Sequence, residues 1–287
     1  MMQELRLKYP IPLISRIMEV SASGYYAWLV RPLSNRAREE MRLEVEIKAA
    51  DKRTRQTYGP ERLQCDLAGN GVQAGICRIK RIRTKLGIRC KQKRKFKATT
   101  YSNHNLPVAE NLLNQEFKVY EPNKVWLSDI TYIPTDEGWL YLAGHKDLFN
   151  NEIVGYAMGE RMTKNLVSES LCRAMSAKRP DVGLVHHSDR GSQYCSYEYR
   201  EITERFGIQV SMSGTGNCYD NAPMESFWST LKQELVHHRH YRSRQEAIQE
   251  ITEYIEIFYN RQRLQAGLGF LSPAVYAKKY YEELTAA

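Results

Sequence analysis

The chain's six cysteines, at 65, 77, 90, 172, 195 and 218, include no CxxC pair and no nearby histidine at zinc-ligand spacing. That scatter argues against a zinc module and a disulfide framework. No stretch approaches the roughly 18 apolar residues a membrane helix requires. The N-terminal MMQELRLKYPIPLISRIMEV lacks both the apolar core and the small-residue cleavage site of a secretory signal. A reducing, cytoplasmic setting without a membrane partner is therefore expected. No heptad pattern is sustained over three or four repeats, so no coiled coil is expected either. The sharpest absence is of acid between Arg78 and Lys97, where eleven of twenty residues are Lys or Arg and none is Asp or Glu.

That stretch belongs to a wider asymmetry. Residues 1–100 carry 23 Lys and Arg against 9 Asp and Glu, whereas the other 187 carry 19 against 24. A basic module for a polyanion, joined to a near-neutral body, accounts for such a split; a basic surface kept for solubility is the plainer alternative. Residues 11–31 read as two short helices with a turn at Val20–Ser21, a helix-turn-helix rhythm. Residues 36–56 read as a charged amphipathic helix with Met41, Val45 and Ala49 on its apolar side. Tyr58-Gly59-Pro60 opens a second pair: a helix through Leu63 and Leu67, a loop at Gly69-Asn70-Gly71, then ICRIKRIRTKLGI. Arg78, Lys80, Arg81 and Arg83 on that last helix, with Lys91, Lys93 and Arg94 after it, form the footprint expected for phosphate contact. Residues 98–120 read as a polar linker with a short helical piece near Leu112–Phe117.

From Val125 the apolar period changes to two. VWLSDITYIP, WLYLAGHKD and EIVGYAMG, separated by turns at 135–138 and 150–151, predict an antiparallel meander. A helix over 163–177 follows, with Leu166, Ser170, Leu171 and Ala174 inward. Then come a short buried strand ending at Asp189, a helix over 196–206, the strand IQVSMS, and a helix from Pro223 through Glu225 to about His237. A last long helix over 243–260 carries Ile248, Ile251, Ile255 and Phe258 or Tyr259 on one side. The order predicts an α/β fold, a mixed five-stranded sheet flanked by helices.

Three acids stand out. Asp129 lies on an otherwise apolar strand face with Val125, Leu127 and Ile133, costly unless paired or metal-bound. Asp189 sits at the C-terminal end of its strand, where open α/β sheets place ligand-handling groups. Glu225 shares a helix face with Asn221, Ser229 and Lys232. Each alone has a local explanation, but three carboxylates gathered by a fold can hold divalent metal, and metal beside a basic surface implies phosphodiester chemistry. His186 and His187 could touch metal or substrate, or be structural. Cys195 and Cys218 read as packing residues.

WLSDITYI, HSDRGSQY and NAPMESFWSTLK, with thirty-five residues between the last two acids and Lys232 seven after the glutamate, closely resemble the DDE(K) transposases of bacterial insertion sequences. The nearest match is the second reading-frame product of the IS-three family. TYGPERLQCDL…RIKRIRTKLGI and YNRQRLQAGLGFLSPAVY extend the likeness over residues 11 to 280. The resemblance implies an RNase H-like core, similar to retroviral integrases, in which Asp129, Asp189 and Glu225 bind two Mg²⁺ ions, with Mn²⁺ as a substitute. It implies double-stranded DNA as partner, both terminal inverted repeats and target, cut to 3′-hydroxyls that attack another phosphodiester. Lys232 would contact the terminal DNA. It further implies a homo-oligomer on paired ends, association with the nucleoid, and an upstream reading-frame product, as fusion or partner, that supplies the missing dimerisation module. One position departs: the family usually has His where Gln265 follows Arg263. Expected domains are 1–35 and 36–100 (both helix-turn-helix-like), a linker over 101–120, the core over 121–262 and a tail over 263–287. Two other readings stay open: an RNase H-like nuclease that never joins ends, and a non-catalytic DNA-binding regulator.

Overall fold

The computed structural model describes residues 2–91, 108–214 and 217–286. The expected contacts at Lys93 and Arg94 lie outside the described residues. The chain divides into two compact units, residues 1–49 and 50–287.

The first unit is helical: α1 (Met2–Leu5), α2 (Ile11–Ile17), α3 (Ala22–Leu29) and most of α4 (Asn35–Arg53). Pro10 and Pro12 start α2, and the Ser21 hydroxyl caps α3 by accepting from Gly24 N at 3.0 Å. The turn between them falls where the sequence rhythm predicts it. On α4 the apolar side is not the expected one. Met41 and Val45 are 55% and 66% exposed, whereas Leu43, Ile47 and Ala50 are buried. Two stripes on α4 satisfy the helical period, and packing selected the one that continues through Ala50.

In the second unit α5 (Pro60–Gly69) and α6 (Ile76–Lys85) bury Leu63, Leu67, Ile79 and Ile82. The sheet follows: β1 (Val125–Thr135), β2 (Gly138–Asp147) and β3 (Ile153–Gly159) form the antiparallel meander, then α7 (Lys164–Lys178), β4 (Val185–Ser188), α8 (Tyr197–Arg205) and β5 (Gln209–Met212). Strand order is β3-β2-β1-β4-β5, with β4 parallel to β1 and β5 parallel to β4. This is the predicted mixed five-stranded sheet. Helix α7 buries all four expected residues and lies so close to β3 that a Cβ at Gly155 would fall 2.5 Å from that of Ala174.

Three expectations change. Residues 108–120 contain no helix; they are pinned along β5 instead, Leu112 N donating to Ser211 Oγ (2.9 Å) and Asn111 and Gln115 to the Asp220 carboxylate (both 3.0 Å). Helix α9 (Ala222–Glu234) stops short of His237, and α10 (Arg244–Glu253) passes into a π-helical stretch, Tyr254–Gln262, with Ile248 only half-buried. The expected tail contains α11 (Pro273–Ala286), whose only buried residue is Pro273, so no apolar stripe announced it.

Behind the sheet, His145 and His186 are fully buried and bonded to each other (3.1 Å), with Ser170 Oγ on His145 and Tyr199 OH on His186. Burial first, and the neighbouring ring second, holds His145 well below its ordinary range; burial takes His186 down to about 3. Both rings are neutral in the fold, but in the unfolded chain they protonate near about pH 6.5. Their contribution is intact above that value and lost as pH falls toward 3, at roughly 1.4 kcal/mol per pH unit for each ring. Between about pH 7.5 and about pH 5 the wild type should therefore lose about 2 kcal/mol more stability to urea than His186→Gln, a comparison in which the opposite drift of the raised acids cancels. An equal pH dependence in the two proteins would mean that the His186 ring is charged in the fold.

Candidate active site

The parallel register of β1 and β4 sets the site. Ser128 pairs with Ser188 as the last matched position, so Asp129 and Asp189 each stand one residue beyond it, on strands about 4.8 Å apart. Because β4 ends there, β1 runs on to Thr135 with an open edge past Asp129.

Helix α9 carries the third acid over this notch. Pro223 fits its first turn, where a missing N–H is harmless, and Glu225 follows in the same turn. Met224, Phe227, Trp228 and Leu231 are buried, leaving Glu225 exposed. Two bonds fasten the helix start to the sheet: Asn221 Nδ2 donates to Ser128 O (3.1 Å), and the buried Lys146 Nζ donates to Pro223 O (2.9 Å). A third, from Trp228 Nε1 to Asp129 Oδ2 (3.0 Å), reaches an acid directly. Asp129 Oδ1 accepts from Ile130 N at 2.8 Å, and Asp189 Oδ1 from Gly191 N at 2.9 Å.

The acids sense one another. Asp129 is raised to about 8, first by burial and then by the charge of Asp189, with Glu225 adding to it. Glu225, exposed as a residue, is raised by the partial covering of its carboxyl and then by Asp189. Lys232 stands one helical face on, its Nζ 4.8 Å from the centroid of the Tyr132 ring; burial lowers its pKa while the Asp129 charge opposes that shift. As the side chains stand, no three His, Cys, Asp or Glu among the described residues close into a finished metal site. The donor set nonetheless fits a hard divalent cation: carboxylate oxygens, crowded enough to repel one another, with a cation the natural relief. His187, which sequence allowed as a ligand, bonds instead to Ser211 Oγ (2.8 Å) and Ser213 Oγ (3.2 Å), and His186 belongs to the buried network.

The basic candidates separate by exposure. Lys80 and Arg81 are exposed on α6, and Arg78 and Lys91 are partly so. Arg83 is 8% exposed, its guanidinium donating to Cys90 Sγ at 3.3 Å, which removes it from the outer face. Sequence reasoning missed Trp228, Lys146 and the meaning of the C-terminal signature. Asn260 brackets β3 by bonding both N and O of Ile153 (3.0 Å each), and Arg263 clasps Glu234 at the end of α9. Leu264 N donates to Tyr58 OH at 2.7 Å. At Gln265 the backbone N donates to Leu271 O at 3.0 Å, and the side chain bonds that of Tyr259. The signal for these was the polar residues of YNRQR in an otherwise apolar run.

Residues 119–218 match the Integrase core domain family, residues 225–280 match a second family of the same description, and residues 37–96 match an HTH-like domain. The 31 kDa protein of insertion element IS600 from Shigella sonnei is 58% identical over 93% of this chain and 98% of its own length. The transposase InsF for insertion sequence IS3A of Escherichia coli K12 is 38% identical over 95% of each. Among solved structures, the HTLV-2 integrase catalytic core domain in complex with magnesium aligns with 54% of this chain and 97% of its own at 15% identity and a TM-score of 0.43. With both relatives matched along nearly their whole length, and a mixed five-stranded sheet behind an HTH-like domain, the chain belongs to the IS3-family transposases, DDE-type enzymes with an integrase catalytic core.

Proposed function

We propose that this transposase cuts the ends of its insertion sequence to leave 3′-hydroxyls and joins them to another phosphodiester, with Asp129, Asp189 and Glu225 as the catalytic acids. They would hold two Mg²⁺ ions, for which Mn²⁺ can substitute; when bound, such ions activate the attacking oxygen and relieve charge on the leaving one. The observation that carries the reading is the β1–β4 register, which sets two acids abreast beneath the helix bearing the third. Lys232, whose charge interacts with Asp129, would hold the terminal phosphate or base. The partners are then the terminal inverted repeats and target DNA, engaged by a homo-oligomer on paired ends, with an upstream reading-frame product as fusion or partner.

The test is incubation with Mg²⁺ and labelled duplex bearing the terminal repeats that flank the gene. New 3′-ends joined to other DNA support a self-sufficient transposase. Cut but unjoined product favours a nuclease, and binding alone favours dependence on the upstream product or a regulatory role.

Residue exposure sorts the basic residues into two classes. Lys80→Ala and Arg81→Ala should each weaken binding across all DNA sequences and lower the slope of log affinity against log salt by about 1. Arg83→Ala should instead lower the melting temperature and leave that slope unchanged. Salt titrations of the three variants check this; a lowered slope for Arg83→Ala would place its charge on DNA.

A further inference from the structure

We propose that Trp228 is a positioning residue for Asp129: its indole N–H, donated to Oδ2, holds the carboxylate in the orientation from which it binds a divalent cation. The inference rests on the reading of Asp129 as a metal ligand.

The bond is built rather than incidental. Trp228 is 5% exposed and comes from α9, whereas Asp129 comes from β1, so the contact spans 99 residues of sequence. Room for the indole is made by β2. Gly144 stands opposite Asp129 in the antiparallel register, and a Cβ there would come 3.1 Å from Trp228 Cη2 and 3.2 Å from Met224 Cε. The ring is backed by Phe227 at 4.9 Å, which itself packs on Tyr259 at 4.6 Å. The helix start is held by Asn221 and Lys146, so the indole has little freedom to leave.

Burial alone does not explain the arrangement. Trp126, buried still more deeply, has no partner for its Nε1 among the described residues, so burial by itself does not bring an indole N–H a partner here. At Trp228 the donor is aimed at one oxygen of the acid, while Ile130 N takes the other. Each carboxylate oxygen accepts twice, and the two bonds therefore fix the carboxylate plane while leaving a lone pair on each oxygen for a cation. A ligating carboxylate is commonly oriented by such a donor, and losing one costs about 10–100-fold in metal affinity. Phenylalanine would fill the same space without the N–H, which separates positioning from packing.

The experiment measures Mn²⁺ binding to the full chain without DNA, by the loss of the free-ion EPR signal, for wild type, Trp228→Phe and Asp129→Asn. Thermal melting is recorded beside it. Trp228→Phe should weaken Mn²⁺ by about 10–100-fold with a melting temperature close to wild type, and its end-joining should recover as Mn²⁺ is raised. Asp129→Asn should lose the site at any concentration. Wild-type Mn²⁺ affinity in Trp228→Phe, with binding lost in Asp129→Asn, overturns the positioning role and leaves the metal reading standing. Unchanged binding in Asp129→Asn overturns the metal reading itself. Should Trp228→Phe fail to fold, Gly144→Ala crowds the indole without removing its N–H. It must then lower Mn²⁺ affinity several-fold, and unchanged affinity there overturns the inference equally.

Discussion

Asp129→Asn and Glu225→Gln are each expected to abolish joined DNA product while leaving DNA binding close to wild type. Both changes keep side-chain shape and remove one anionic ligand. A bound metal contributes several kcal/mol of charge stabilisation in the transition state, and each 1.36 kcal/mol is tenfold in rate. The loss should therefore be about a thousandfold or more, beneath detection in a gel assay. Binding survives because most of the positive charge lies in residues 1–100, far along the chain from the acids, and phosphate neutralisation dominates affinity.

The same substitution should have an opposite effect on stability. Without metal, Asp129 is half-buried beside Asp189 and Glu225, and its carboxyl is raised to about 8 by desolvation and by those charges. Asparagine removes that penalty at the cost of one bond, since its single oxygen can accept from Trp228 or from Ile130 but not from both. Asp129→Asn should thus melt at or above the wild-type temperature in chelator, and lose the Mg²⁺-dependent rise that ligand linkage gives the wild type. Retained end-joining in Asp129→Asn would remove this acid from the catalytic set. A melting temperature well below wild type would mean that the lost activity reports unfolding.

The second large effect is expected at a buried ion pair outside the three acids. Arg263 and Glu234 are each 9% exposed, with Arg263 donating through Nε (2.9 Å) and Nη2 (2.8 Å) and Tyr254 OH adding a third donor to the carboxylate at 2.7 Å. Removing one partner strands the other charge in the core. Arg263→Ala or Glu234→Ala should cost about 3–5 kcal/mol, read as a drop in the urea midpoint at unchanged slope. Replacing both with apolar residues of similar volume should cost far less, because no orphan charge remains. Glu234 closes α9, so the single variants should also lose activity more steeply than stability alone requires, as Glu225 slips over the acids. Equal losses in the single and double variants would show that packing, not charge, sets the cost.

Particular residues show what could be read without coordinates. Period-two alternation over 125–135 and 138–147 announced the hairpin, and the acid interrupting it at 129 was conspicuous because a carboxylate on an apolar face needs a reason. The helix stripe through Leu166, Ser170, Leu171 and Ala174 was equally plain. Met41 and Val45 misled, because α4 has two stripes of the right period and only neighbouring elements decide which is buried. Arg83 lies in the same basic run but is buried, a difference in exposure that the run itself does not encode. Residues 108–120 looked like a linker because their order comes from side chains of Ser211 and Asp220, a hundred positions downstream.

By itself, then, the sequence determined the chemistry available: three acids at their spacing, a lysine seven residues after the last, and a basic segment ahead of them. These follow from local pattern, because amphipathic period and charge are properties of neighbours in the chain. Only the tertiary structure decided that Asp129 and Asp189 stand abreast, since strand register is a long-range choice. It alone aimed Trp228 at Asp129 and Arg263 at Glu234, contacts between segments whose meeting no local window encodes.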